Sequence, residues 1–255
     1  MDLELRDRVV VITGGTDGLG LALALTLQRE GARVAVCGRD DGRLAAARSR
    51  LGPGALGVVA DVTRHDDLDA FVAAVRERFG RVDGLVNNAG RHAASPVATS
   101  SAQAWRDDYE LKVVAAVELT RRLIDDLAVT NGAVLNVLAI KARTPDAGST
   151  PTAASRAAGL ALTKALANEL GPRGVRANAI LIGLIESGQW ERRAAAQGVP
   201  VADLYAGLAA AQSIPLGRVG RASEFADVAA FLLSPRASYL TGVGVALDGG
   251  LSPSI

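Results

Sequence analysis

The chain is poor in residues that build covalent or metal-held frameworks: it has a single cysteine, Cys37, one methionine and two histidines. One thiol excludes an internal disulfide and a cysteine metal cluster. In the apolar run Val34-Ala35-Val36-Cys37 it reads as a small buried hydrophobe, and no metal is expected. Long hydrophobic runs are missing too. No stretch approaches the roughly 18 apolar residues that span a bilayer, and Met1-Asp2-Leu3-Glu4-Leu5-Arg6 is too charged for a signal peptide. The expectation is a cytoplasmic protein without membrane contact. Lys plus Arg number 28 and Asp plus Glu 27, with no basic block or acidic tail. That balance argues against nucleic acid and anionic lipid and leaves a small molecule as the partner.

What is present is a core-forming chain of 255 residues, 49% hydrophobic and 22% charged, enough for one large domain. Short β-branched runs alternate with amphipathic segments: Val9 to Thr13 then Gly18 to Glu30, Arg33 to Cys37 then Arg43 to Leu51, Leu56 to Ala60 then Asp66 to Phe79. Strands are expected again at Gly84 to Asn87, Ala133 to Leu138, Arg176 to Ile180 and Gly244 to Leu247, and helices at about Ser101 to Leu127 and Thr152 to Leu170. The rhythm is that of a single α/β domain with a doubly wound, seven-stranded parallel sheet. The strands are apolar on both faces, as helices on either side require. One stretch, about 182–214, breaks the rhythm. It is helical in pattern and follows a strand at the carboxyl edge of the sheet, where ligands are closed over, so a lid is expected there.

Thr13-Gly14-Gly15-Thr16-Asp17-Gly18-Leu19-Gly20 follows the first strand and opens a helix. Gly14 suits the tight turn, Gly18 the approach of backbone to a pyrophosphate and Gly20 close helix packing, with the helix N-terminus supplying N–H groups. Strand two ends Cys37-Gly38-Arg39, without the carboxylate that would hold a ribose 2′-hydroxyl. A guanidinium there favours a 2′-phosphate, hence NADP(H) over NAD(H), although Asp17 opposes an anion.

With Asp61-Val62 after strand three, Asn87-Asn88-Ala89-Gly90 after strand four and the tail Leu247-Asp248-Gly249-Gly250, the chain resembles the short-chain dehydrogenase/reductase family over residues 5 to 251. The resemblance implies a Rossmann-type NADP-binding domain, with cofactor contacts at Gly14, Thr16, Asp17, Gly18, Leu19, Gly20, Arg39, Asp61, Val62, Asn88, Ala89, Gly90 and Arg156. It also implies a homotetramer, or a homodimer, built on the long helices at 101 to 127 and 152 to 170.

Family members use Asn, Ser and a Tyr-x-x-x-Lys pair. Here residues 152 to 156 read Thr-Ala-Ala-Ser-Arg, and Tyr109, Tyr205 and Tyr239 are followed four residues later by Val113, Ala209 and Val243. Laid on the family pattern, Lys112 stands for the Asn, Ala139 for the Ser, Thr152 for the Tyr and Arg156 for the Lys. A slide of the helix would bring Glu110 or Leu111 to the Asn position instead. Thr152 is far too weak an acid to replace a phenol, and Arg156 cannot release a proton at useful pH. Lys112, Thr152 and Arg156 are therefore the catalytic candidates, and only Lys112 titrates. Beside Arg156, like charge and partial burial would lower its pKa, making it a general acid or a Schiff-base amine; otherwise it supplies only a cation or sits in solvent. His92, Ala139, Lys141, Glu186 and Trp190 are the substrate-side candidates, and the set Arg91, Lys112, Lys141 and Arg156 points to an anionic or enolisable ligand. Three functions fit these residues: an atypical oxidoreductase for a carbonyl or alcohol; a non-redox enzyme for proton transfer, dehydration or cyclisation; and a non-catalytic NADP(H)-binding or partner subunit.

Overall fold

The computed structural model describes residues 1–254. Seven strands run Val9–Thr13 (β1), Arg33–Gly38 (β2), Leu56–Val59 (β3), Gly84–Asn87 (β4), Ala133–Ala139 (β5), Arg176–Ile182 (β6) and Gly244–Leu247 (β7). They form one sheet in the order β3-β2-β1-β4-β5-β6-β7, with every pairing parallel. This is the expected α/β architecture. The order reverses between β1 and β4, the switch point at which such sheets open a crevice beyond their carboxyl ends.

Side chains alternate along β1 into two cores. Val10 and Ile12 pack on one face with Leu23, Leu27 and Phe225, and Val9 and Val11 on the other with Phe71, Leu119 and Leu123. Each fully buried Leu or Phe contributes about 1.5–3 kcal/mol. The helices of the first half are Gly18–Arg29 (α1), Asp41–Leu51 (α2) and His65–Phe79 (α3). Asp17 caps α1, accepting a hydrogen bond from the Gly18 backbone N–H at 2.7 Å.

The expected single helix from about Ser101 to Leu127 is interrupted. Ala102–Tyr109 (α4) and Ala115–Thr130 (α5) are joined by one turn of π-helix over Glu110–Val114, where the Ala115 N–H bonds the Glu110 carbonyl. Thr152–Leu170 (α6) has the expected bounds. The segment after β6 folds as Gly188–Gln197 (α7) and Val201–Ala211 (α8). A further helix, Ala222–Leu233 (α9), has no counterpart among the sequence expectations and packs on α1. Among the described residues no helix is long and apolar enough to cross a membrane.

Candidate active site

The glycine loop leaves β1 with Gly14 at φ +62° and Gly18 at φ +51°, left-handed conformations that favour glycine. A Cβ on Gly20 would stand 2.6 Å from Asn88 Nδ2, so the start of α1 can lie this close to the loop after β4 only with glycine there. The two loops are stitched together. Asn88 Nδ2 donates to the carbonyls of Thr13 at 2.8 Å and Gly14 at 3.0 Å, and Thr13 Oγ1 accepts from the Asn88 and Ala89 N–H groups at 3.0 Å each. Asn87 continues inward to Asn136 Oδ1, and Asn136 to Thr163 Oγ1, at 2.9 Å each. Asn136 and Thr163 were missed by sequence reasoning; only contacts between strands and α6 expose them.

This cradle, with free N–H groups at the start of α1, suits a pyrophosphate. Leu19 packs against the core beneath it, and Thr16 lies against Gly38, one residue before Arg39. The Arg39 side chain is 61% exposed, and its Nη1 lies 3.5 Å from Asp61 Oδ2. Against the opposing effect of burial, Thr63 hydrogen bonds and the Arg39 charge hold the Asp61 carboxyl below its ordinary pKa. Val62 is buried. Cys37 is buried as expected, and burial pushes its thiol up to about 12. Asp17 is not a bare charge, because Arg192 Nη1 on α7 reaches its Oδ2 at 2.9 Å.

Lys112 sits in the π turn, which turns its side chain inward until it is 1% exposed. Its Nζ donates to Thr152 Oγ1 at 2.9 Å and forms an ion pair with Asp108 Oδ1 at 2.5 Å. Asp108 is fully buried and accepts from Ser155 Oγ at 2.6 Å. Asp108 and Ser155 are further residues that sequence reasoning passed over. Burial first, and the Arg156 guanidinium second, pull the Lys112 ammonium down to about 8 against the stabilising pull of Asp108, with Arg91 acting in the same sense as Arg156. Burial likewise draws Arg156 down to about 10, opposed by Asp108. Arg156 Nη1 donates to the Val137 carbonyl, its Nε has no hydrogen-bond partner among the described residues, and its Nη2 lies beneath Gly90. Lys112, Arg156, Asn87, Val62 and Ala89 line a common cavity of about 10 Å³, room for one water. Leu111 lines it too, while Glu110 is only half-buried.

The other candidates do not all gather here. Lys141 is ion-paired with Asp146, so the four cations do not all converge; Lys112, Arg156 and Arg91 share one electrostatic neighbourhood. Ala139 is half-buried at the end of β5 and His92 is exposed. Glu186 lines a separate cavity of about 380 Å³ with Tyr205 and Arg218, which shares no lining residue with the Lys112 cavity. Trp190 stacks under Arg193, whose guanidinium carbon lies 5.4 Å from the ring centre.

The profile described as enoyl-(acyl carrier protein) reductase matches residues 14–252. L-fucose dehydrogenase of Bos taurus is 36% identical over 98% of this chain and 91% of its own length. A short-chain oxidoreductase of Pseudomonas aeruginosa PAO1, described as containing an atypical catalytic center, was solved with NADPH. It is 38% identical, covers 98% of this chain and 100% of its own, and superposes with a TM-score of 0.92. L-sorbose reductase of Gluconobacter frateurii, solved with NADPH and L-sorbose, is 31% identical with a TM-score of 0.93 over 100% of both chains. Similarity of this depth along nearly the whole length, on one sheet architecture, identifies the chain as a member of the short-chain dehydrogenase/reductase family.

Proposed function

We propose that this protein is an NADP(H)-dependent oxidoreductase acting on the carbonyl or alcohol of a small molecule, with Lys112 and Thr152 doing the proton transfer that a Tyr-x-x-x-Lys pair performs elsewhere in the family. The observation that carries this reading is the buried Lys112 ammonium, brought down to about 8 and bonded to a hydroxyl that is itself only half-buried. A bound nicotinamide supplies or accepts the hydride. Thr152 Oγ accepts a hydrogen bond from Lys112, which leaves its own proton to donate to a substrate oxygen. As that proton leaves, Thr152 takes one from Lys112, and the ammonium becomes a neutral amine; alcohol oxidation runs the transfer in reverse. A threonine that only conducts the proton need not be acidic, which removes the objection to its high pKa. The engagement of Lys112 by Asp108 and Thr152 favours proton transfer over a Schiff base, so borohydride with a carbonyl ligand should leave no adduct on Lys112.

The cationic neighbourhood of Lys112, Arg156 and Arg91 supports an anionic or enolisable substrate. In this reading α7 and α8, with Trp190 and Glu186, form the lid over the crevice, and the protein works as a homotetramer or homodimer. NADPH in the Pseudomonas and Gluconobacter relatives supports the cofactor. The exposed guanidinium of Arg39 supports NADP(H) over NAD(H). Replacing it, Arg39→Ala, should weaken NADPH by about tenfold or more, the worth of a charge-assisted phosphate contact, while leaving NADH unchanged. The function is tested by fluorescence titration with NADPH, followed by quinones, ketoesters and aldehydes at the nicotinamide absorbance. Binding with turnover is expected; absence of binding below millimolar concentrations overturns the reading.

A further inference from the structure

The glycine loop carries a carboxylate where a pyrophosphate is to be held. Asp17 precedes α1 within the glycine loop, and its side chain is 39% exposed. The charge is met from a segment 175 residues away: Arg192 Nη1 donates to Asp17 Oδ2 at 2.9 Å. The contact belongs to a packed junction. Gly188 at the start of α7 is buried against the pair, and a Cβ there would stand 2.7 Å from Asp17 Oδ2 and 2.9 Å from Arg192 Nη1. A Cβ on Gly18 would meet Ser187 at 3.7 Å, and the Ser187 N–H donates to Tyr205 Oη of α8 at 3.3 Å. The loop, α7 and α8 are thus joined in one chain of contacts.

A guanidinium has five N–H donors in a planar fork, and the Asp17 contact uses one nitrogen. We infer that Arg192 belongs to the cofactor site, cancelling the charge of Asp17 and offering its remaining N–H groups to the cofactor's pyrophosphate. This rests on the reading that the glycine loop holds NADP(H). Asp17 alone repels the diphosphate; with Arg192 beside it the pair is neutral and the outer face of the fork is a phosphate donor. Arg192 also carries α7, so the same contact draws the segment bearing Trp190 toward the bound cofactor.

The test is a double-mutant cycle read as NADPH dissociation constants by fluorescence titration, which needs no turnover. Asp17→Asn keeps the side-chain oxygen that caps α1 and removes the charge together with the oxygen that accepts from Arg192. Arg192→Ala is expected to weaken NADPH about tenfold, the order of one charge-assisted hydrogen bond lost. Adding Asp17→Asn to Arg192→Ala is expected to recover the part of that loss that comes from the unmatched carboxylate but not the part that comes from the lost N–H contact, and Asp17→Asn alone, which leaves the Arg192 charge uncancelled, to tighten NADPH binding. The inference is overturned if Arg192→Ala binds within about twofold of wild type, the scatter of sites that do not interact, or if the double variant is no better than Arg192→Ala. Wild type that does not bind NADPH overturns the reading of the loop itself, a result distinct from either of these.

Discussion

Lys112→Met should slow carbonyl reduction by about 10²- to 10⁴-fold, the range that a positioned general acid contributes, while NADPH binding persists. Thr152→Ser keeps the conducting hydroxyl and should stay close to wild type. Thr152→Ala should lose less than Lys112→Met, since water can enter the space of the lost hydroxyl. Full activity in Lys112→Met together with an inactive Thr152→Ala would remove Lys112 from the proton path. The pH dependence carries its own sign. Reduction requires the ammonium, so its rate should fall as pH rises through about 8; oxidation requires the neutral amine and should rise through the same point. The charged groups acting on that nitrogen are Asp108, Arg156 and Arg91. Asp108 holds the proton on, so Asp108→Asn should move the limb to lower pH, and in Lys112→Met it should vanish.

Asp108→Ala should be among the most destabilising single changes in the chain. It strands the Lys112 ammonium, 1% exposed and near Arg156, without its counter-charge. Breaking a buried pair from one side costs about 3–5 kcal/mol. For a domain of this size that is a fall of about 6–20 °C in melting temperature. Removing both charges, Asp108→Leu with Lys112→Met, should cost much less than the sum of Asp108→Leu alone and Lys112→Met alone, because no unpaired charge then remains. Thermal melts of the four proteins check this, and additive losses would mean that the two side chains do not form a pair. The double variant also separates lost catalysis from lost folding: it should be folded and still lack the acid.

Much of the frame was legible because its signals are local. β1, β4, β7 and α6 have the expected bounds, since β-branched runs set off by glycine, and a long alanine-rich segment before Gly171, announce themselves within a few residues. The apolar residues of α9, Phe225 to Leu233, run almost without a break, and such a run lacks the periodicity that distinguishes a helix from a buried strand. The candidate site was legible in its residue types and much less so in its connections. Asp108 and Lys112 stand four apart, but that spacing on a helix normally describes a solvated pair. Only Ser155 and the packing of α6 show it to be buried. Glu186 and Lys141 lie after strand ends as expected, yet one lines another cavity and the other is held by Asp146, outcomes decided by loops that no pattern describes. The bond between Asp17 and Arg192 has no signal short of the folded chain.

The π turn at Glu110–Val114 sets rotational phase. An α-helix advances about 100° per residue, so one extra residue wound into a plain helix would rotate everything before it by that angle relative to Leu119, Leu123 and Leu127, which are anchored in the core. The wider turn, closed from the Ala115 N–H to the Glu110 carbonyl, takes up that residue instead. Trp105 and Asp108 therefore keep the phase of an unbroken helix, and Asp108 stays aimed at Ser155. Winding the same residues as plain α-helix with the leucines held in place would swing Asp108 away from Ser155 by about that angle, its identity untouched. The way this short segment winds aims the carboxylate as much as the choice of residues does.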